Sequence, residues 1–294
     1  MTTIAGKSTT ATRADVATTA RAARPKRDWQ AIRTVMVKDL TAVRRSKAIV
    51  IPMIAVPALL LLVLPIGLGW FARSAPTEQV ESTLQSPLVQ GLVGPILDLP
   101  QREQIVVLVL GYMLSPLLLV IPLMVSAVLA ADAFAGEKER RTLEGLLHLP
   151  ISDRDLFTAK VLGAYVPAVV ITAVSAVLYA IICNIVAWPI TNRPFLPFTQ
   201  WTLTMFWVAP AVALLALGLL VIVSSKAKTT QEANQLGGAV ILPLIFVAAA
   251  PASGLMLAPP WVVILVGALV WAVSLGLVAM NGRRFTRDRL AANS

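Results

Sequence analysis

Apolar residues in this chain come in long unbroken runs, unlike the alternation of a half-buried strand or the one-sided stripe of a soluble helix. Stretches free of Asp, Glu, Lys and Arg extend over Ala48–Ala72, Ile105–Ala131, Val161–Asn192, Pro194–Ser225 and Ala233–Gly282. Each exceeds the roughly 20 residues that carry a helix across a bilayer core. The last run holds fifty residues, enough for two crossings, and Pro251, Gly254, Pro259 and Pro260 punctuate it. The pattern predicts an all-α polytopic membrane protein with six transmembrane helices, at about 49–71, 105–131, 157–188, 201–224, 236–256 and 260–281.

The pattern changes before the first span. Between Asp28 and Lys47, Trp29, Ile32, Met36, Leu40 and Val43 recur at spacings of three and four, while Arg33, Lys38, Arg44 and Arg45 take other faces. This predicts an N-terminal amphipathic interfacial helix, with its Trp at headgroup level and its basic residues against anionic membrane lipid.

A second break separates spans two and three. Residues 132–156, DAFAGEKERRTLEGLLHLPISDRDL, hold ten of the chain's forty Lys, Arg, Asp and Glu residues. Glu137 and Arg141, and Arg140 and Glu144, lie four apart, and Glu137 and Arg140 three apart, spacings that pair across a helix turn. Leu143, Leu146 and Leu147 add a narrow apolar stripe, and Pro150 stops the helix because the residue before a proline avoids the α region. Ser152 is then placed to cap a new helix, with Asp155 completing a capping box and Ile151 stapling against Leu156. The island is thus a helix of about 13 residues, on the order of 20 Å long, set in a hard turn.

Composition agrees with the span pattern. The 294 residues are 57% hydrophobic with a mean hydropathy of +0.78, and 14% are charged against roughly 25% in soluble domains. A net charge of +10 would suggest nucleic acid in a soluble protein, but here the basic residues sort by side. With both termini cytoplasmic, the outer segments hold only Arg73, Arg102 and Arg193 out of 25 Lys and Arg, as the positive-inside rule requires. No nucleic-acid partner is expected, and the island falls on the cytoplasmic side.

The ends and loops are less informative. Residues 1–27, rich in Thr, Ala and Arg, read as a disordered cytoplasmic tail, a composition shared with organellar transit peptides. The Gly6-Lys7-Ser8 within it lacks the upstream glycine of a phosphate-binding loop, since position 1 is Met. The outer segment 71–104 is slightly acidic, with VQGLVGPIL as a candidate short helix, and residues 286–294 form a cytoplasmic C-terminal tail.

The available chemistry is narrow. Cys183 is the only cysteine and His148 the only histidine, which removes an intrachain disulfide and a multi-histidine metal site. The spans carry no acidic or basic relay of the kind ion-driven transporters use, only uncharged groups such as Tyr112, Ser115, Ser126, Tyr165 and Asn184. Nothing in them offers the paired carboxylates an intramembrane enzyme needs. Energy for uphill movement must therefore come from a partner, and a helix with one leucine edge and one charged edge suits docking on a soluble protein. A solvated connection whose ion pairs steady a hairpin accounts for the same charges, and a membrane scaffold that recruits a soluble partner without transport is the alternative function.

GEKERRTLEGLLHLPIS, residues 136–152, resembles the coupling-helix motif of the membrane subunits of ABC-2 type transporters, mostly bacterial exporters. VKDLTAVRRSK is similar to that family's interfacial helix, and SSKAKTTQEANQLGGAVILPLIF to its cytoplasmic link between spans four and five. The resemblance covers residues 28–285 and implies an ABC-2 transmembrane domain that binds no cofactor itself. ATP and Mg would belong to a separate ABC ATPase subunit, and the permease would pair with an identical or related chain in a prokaryotic plasma (inner) membrane. It implies that Gly136, Glu137, Glu139, Arg140, Thr142, Leu143, Glu144, Leu147 and Pro150 form or shape the ATPase contact, with Arg141 counted among them. Lys38 and Asp39 would belong to the helix that senses the movement, alongside Trp29, Arg44 and Arg45, and Glu232 and Ala233 to a second cytoplasmic contact. The tail at 1–27 is not part of the family pattern, and His148 stands where a small or polar residue is expected; a helix C-terminal His favoured by the dipole accounts for it. Chargeless aliphatic spans favour a hydrophobic or amphipathic cargo.

Overall fold

The computed structural model describes residues 28–74, 98–133, 152–224, 229, 231–232, 235–239 and 255–284. Among these residues every regular element is helical. Helix α1 (Trp29–Arg45) starts where Asp28 Oδ1 accepts the N–H groups of Gln30 and Ala31 at 3.1 and 3.0 Å, filling two of the donors a helix start leaves open. It ends at Ser46, whose extended backbone leads directly into α2 (residues 47–74). The remaining helices are α3 (Gln101–Ala131), α4 (Asp153–Thr191), α5 (residues 199–224) and α6 (Pro260–Arg284). Each of α2 to α6 contains a stretch long and apolar enough to cross a bilayer. The remaining predicted span, 236–256, lies mostly outside the described residues, as do the outer short helix, Ile151 and both tails.

Three of the helices contain a wide π turn followed by a proline. Leu59–Val63, Leu108–Met113 and Thr204–Val208 are wound this way, and Pro65, Pro116 and Pro210 each lie four residues after a member of the turn. A proline ring collides with the carbonyl four residues back and offers it no N–H, and opening the turn that holds this carbonyl relieves the collision. In α3 the carbonyl of Leu110 is taken up by the Ser115 hydroxyl at 3.0 Å and by Tyr179 Oη of α4 at 2.6 Å. Both hydroxyls thus find an acceptor in the hydrocarbon, where an unpaired polar group would cost several kcal/mol.

Side-chain bonds to backbone set the directions of the helices. Lys160 with Ala133, Tyr179 with Leu110, and Arg193 with Glu103 tie α4 to α3 along their whole length in antiparallel order. Ser274 with Ala211 and Asn281 with Gly218 keep a constant offset, so α5 and α6 run side by side in the same direction. Trp271 Nε1 to the Trp207 carbonyl belongs to the same series, and Gly267 leaves the room that the Trp207 indole fills. The hydrophobic stretch of α3 is 78% buried and that of α6 only 17%, which puts α3 at the centre and α6 at the lipid-facing edge.

Helix α4 has 39 residues, on the order of 58 Å at 1.5 Å per residue, close to twice the roughly 30 Å of bilayer core. Its first turns therefore project beyond the membrane. At the other end Asn192 closes it in the left-handed conformation (φ 48°), which Asn tolerates better than most residues. Asn184 then holds the following turn. Its Oδ1 accepts from Phe195 N–H at 3.0 Å and Leu196 N–H at 3.1 Å, and its Nδ2 donates to the Leu196 carbonyl at 2.6 Å. Asn184→Leu strands two amides and a carbonyl and is expected to cost about 2 kcal/mol, read as a lower thermal unfolding midpoint of the purified protein. Asn184→Asp, which keeps the acceptor, should lose less.

Candidate functional site

The ends of α1, α3 and α4 nearest the charged island meet at its base. Helix α1 lies along the first turns of α4: Ile32 and Val35 pack with Leu156 and Ala159, and Met36 sits over Gly163, where an added Cβ would come 3.6 Å from Met36 Cγ. Val43 follows beside Gly163 and Ala164, so the two helices advance in the same direction. The buried side of α1 differs from the predicted stripe. Val35 is buried while Trp29 remains 60% exposed, because the apolar side of α1 covers α4 rather than lying only against lipid.

The Ser152 cap forms as the sequence predicts, with a variation. Ser152 Oγ accepts the Asp155 N–H at 3.1 Å and donates its own proton to Asp155 Oδ2 at 2.8 Å, so the acid binds the capping hydroxyl where a capping box would bind the backbone N–H of residue 152. This fixes where α4 begins, directly after Ser152 as the capping pattern predicts.

Lys160, two turns into α4, is only 2% exposed. Its Nζ donates to the carbonyl of Ala133 at 2.6 Å. Ala133 is the last described residue before 134–151 and Ser152 the first after it, so both ends of that stretch rest on the same two turns of α4. Asp39 of α1, Asp132 and Lys160 line one cavity of about 10 Å3, with Val43 and Leu129 as apolar walls. Two carboxylates and an ammonium thus line one small space, where opposite charges offset part of the cost of burying them. Lys38 approaches Asp39 from the solvent side, its Nζ 3.9 Å from Oδ1. Next to this base, a cleft of about 860 Å3 runs between Ser152–Thr158 of α4 and Val278–Arg283 of α6, with Asp153, Arg154, Asp155 and Arg283 on its walls.

Of the residues singled out from the sequence, Asp39 faces this buried base, while Trp29, Lys38, Arg44 and Arg45 are exposed. Glu232 donates its backbone N–H to Thr229 Oγ1 at 3.1 Å, a capping contact in the link after α5. Gly136, Glu137, Glu139, Arg140, Arg141, Thr142, Leu143, Glu144, Leu147, Pro150 and Ala233 lie outside the described residues. Sequence reasoning singled out neither Asp132 nor Lys160. Helical spacing carried the missing signal: Leu156, Lys160 and Ala164 recur at intervals of four and share one face.

Comparison with known proteins places this arrangement. No curated protein matches the chain. The family model described as ABC-2 family transporter protein matches residues 33–259, a stretch that runs from α1 through α5, encloses the island, and takes in well over half of the 294 residues. The chain belongs to the ABC-2 family of transporter proteins, as a multi-pass membrane permease.

Proposed function

We propose that this chain is the path-forming subunit of an ATP-driven exporter, worked by a separate ABC ATPase through a coupling helix at 136–149. The observation that carries the reading is the Lys160–Ala133 bond with the Ser152 cap beside it. A connection that only joins two spans has no need of a buried lysine at its root. Anchored at both ends to α4, the island acts as a short lever: a push on its outer surface goes into α4 and, through the cavity that Asp39 shares with Lys160, into α1. Because Ser46 is the single residue between α1 and α2, a displaced α1 pulls on the first span.

The topology of this reading is six spans with both termini cytoplasmic in a prokaryotic plasma membrane. The same direction of α5 and α6 supports it, since two parallel neighbours in chain order need one further crossing between them. The permease works as a dimer, with an identical or a related chain, and Glu232 and Ala233 belong to a second cytoplasmic contact. No acid or base in the apolar runs competes for the role of energy source.

The test is reconstitution. The chain and its ATPase are purified together and placed in lipid vesicles, and ATP hydrolysis is compared with that of the ATPase alone. The coupling reading expects hydrolysis to depend on the permease. A scaffold expects the two proteins to bind with hydrolysis unchanged.

A further inference from the structure

Between α2 and α4 a groove of about 530 Å3 opens on the outer surface of the helix bundle. Met53, Pro57 and Leu61 form one wall, and Ile171, Leu178 and Ile182 the other. Its polar side chains are Ser175 and, at one end, Arg44. From Val50 to Leu62 the α2 wall spans thirteen residues, on the order of 18 Å, against about 15 Å for the hydrocarbon of one leaflet. The groove thus begins at the level of Arg44 and ends near mid-membrane. Arg45 and Lys47 stand beside Arg44 and all three are exposed.

We infer that this groove holds one acyl chain of an anionic phospholipid of the cytoplasmic leaflet, with the phosphate at Arg44. Two independent features select this occupant. The groove itself runs for one leaflet's depth, from Val50 to Leu62, which matches a single lipid chain and not a helix crossing the whole bilayer. The cationic end sits where the headgroup of such a lipid must lie, and the inner leaflet is the one whose anionic lipids attract basic side chains. Its neighbour Val43 lines both this groove and the cavity of Asp39, Asp132 and Lys160, so lipid in the groove braces the end of α1. The site depends on the inward orientation of Arg44 and not on the ATPase.

Native mass spectrometry of the purified full-length chain tests it, with phosphatidylglycerol and phosphatidylcholine of the same acyl chains as probes. The first lipid bound should favour phosphatidylglycerol by about fivefold, as expected for one basic side chain near a phosphate. Arg44→Gln should remove that preference while leaving a first lipid bound. Ala58→Phe, which fills the groove floor, should weaken the first lipid of either type about tenfold; Leu178→Trp, at the exposed rim, repeats the test should the first variant not fold. Equal binding by wild type and all three variants would mean surface lipid only and would overturn the site. So would rapid disulfide formation between two Ile54→Cys chains in vesicles, which would put a second copy of the protein in the groove.

Discussion

In the Glu137→Ala/Glu144→Ala variant, ATP hydrolysis by the reconstituted complex is expected to fall to the level of the ATPase alone. Both acids lie in the stretch that the family resemblance assigns to the ATPase contact, and truncating one partner of a hydrogen-bonded charge pair buried in an interface weakens binding markedly. A pair of such losses is worth about 2 kcal/mol or more of partner binding, which is about thirtyfold in affinity. The variant chain should still insert and fold, because the two acids lie between the anchored ends of the island and leave Ser152, Lys160 and Ala133 unchanged. Yield and thermal unfolding of the permease alone are therefore the controls. If assembly and hydrolysis persisted at wild-type levels with both acids gone, the island would be a connection and nothing more.

Lys160→Met is expected to have the second large effect, and by a different route. Its ammonium is buried, donates to Ala133 at 2.6 Å, and shares a cavity with Asp39 and Asp132. Removing one member of a buried charge group leaves the rest uncompensated and costs about 3 kcal/mol, so the midpoint of thermal unfolding should drop. A purely structural role would stop there. A lever root predicts more: the ATPase still copurifies, because the outer face of the island is intact, yet its hydrolysis no longer responds to the permease. Lys160→Arg keeps the charge in a space that barely admits it, and should recover part of the coupling and less of the stability.

These two residues mark how far the sequence could be read. The spans were legible because a membrane helix advertises itself in one dimension: twenty residues without charge have few other fates. The cap at Ser152 was legible for a similar reason, since a side-chain oxygen placed before a helix acts on its own first turn. Lys160 and Asp132 were not read as buried, because a count of charges along the chain does not say which of them packing will cover. Only the packing of α1 on α4 closes water off from them, and that packing depends on Ile32, Val35 and Gly163 meeting residues over a hundred positions away. The wide turns at Pro65, Pro116 and Pro210 were half legible. Proline announces a fault in the helix, but whether it is met by a kink or a π turn is decided by neighbours such as Tyr179, which supplies a proton to Leu110 from another helix.

The same reasoning explains why α1 was placed only approximately. Its apolar positions fit a helix floating on a membrane surface as well as one resting on protein, and the difference lies in Asp39. An acid at the spacing of Ile32, Val35 and Val43 sits on the apolar side of α1, where it needs a cation. Lys38 approaches it from α1 itself and Lys160 of α4 lines the same cavity.

The coupling account is tested most directly by asking what touches the island in the assembled transporter. A photo-crosslinking amino acid in place of Lys138, inside the island but outside the residues assigned to the contact, would be activated in membranes with and without ATP and Mg. The account predicts a covalent adduct with the nucleotide-binding subunit, with a yield that changes between the two conditions. An adduct with no nucleotide-binding protein, or one with a yield indifferent to ATP, would contradict it.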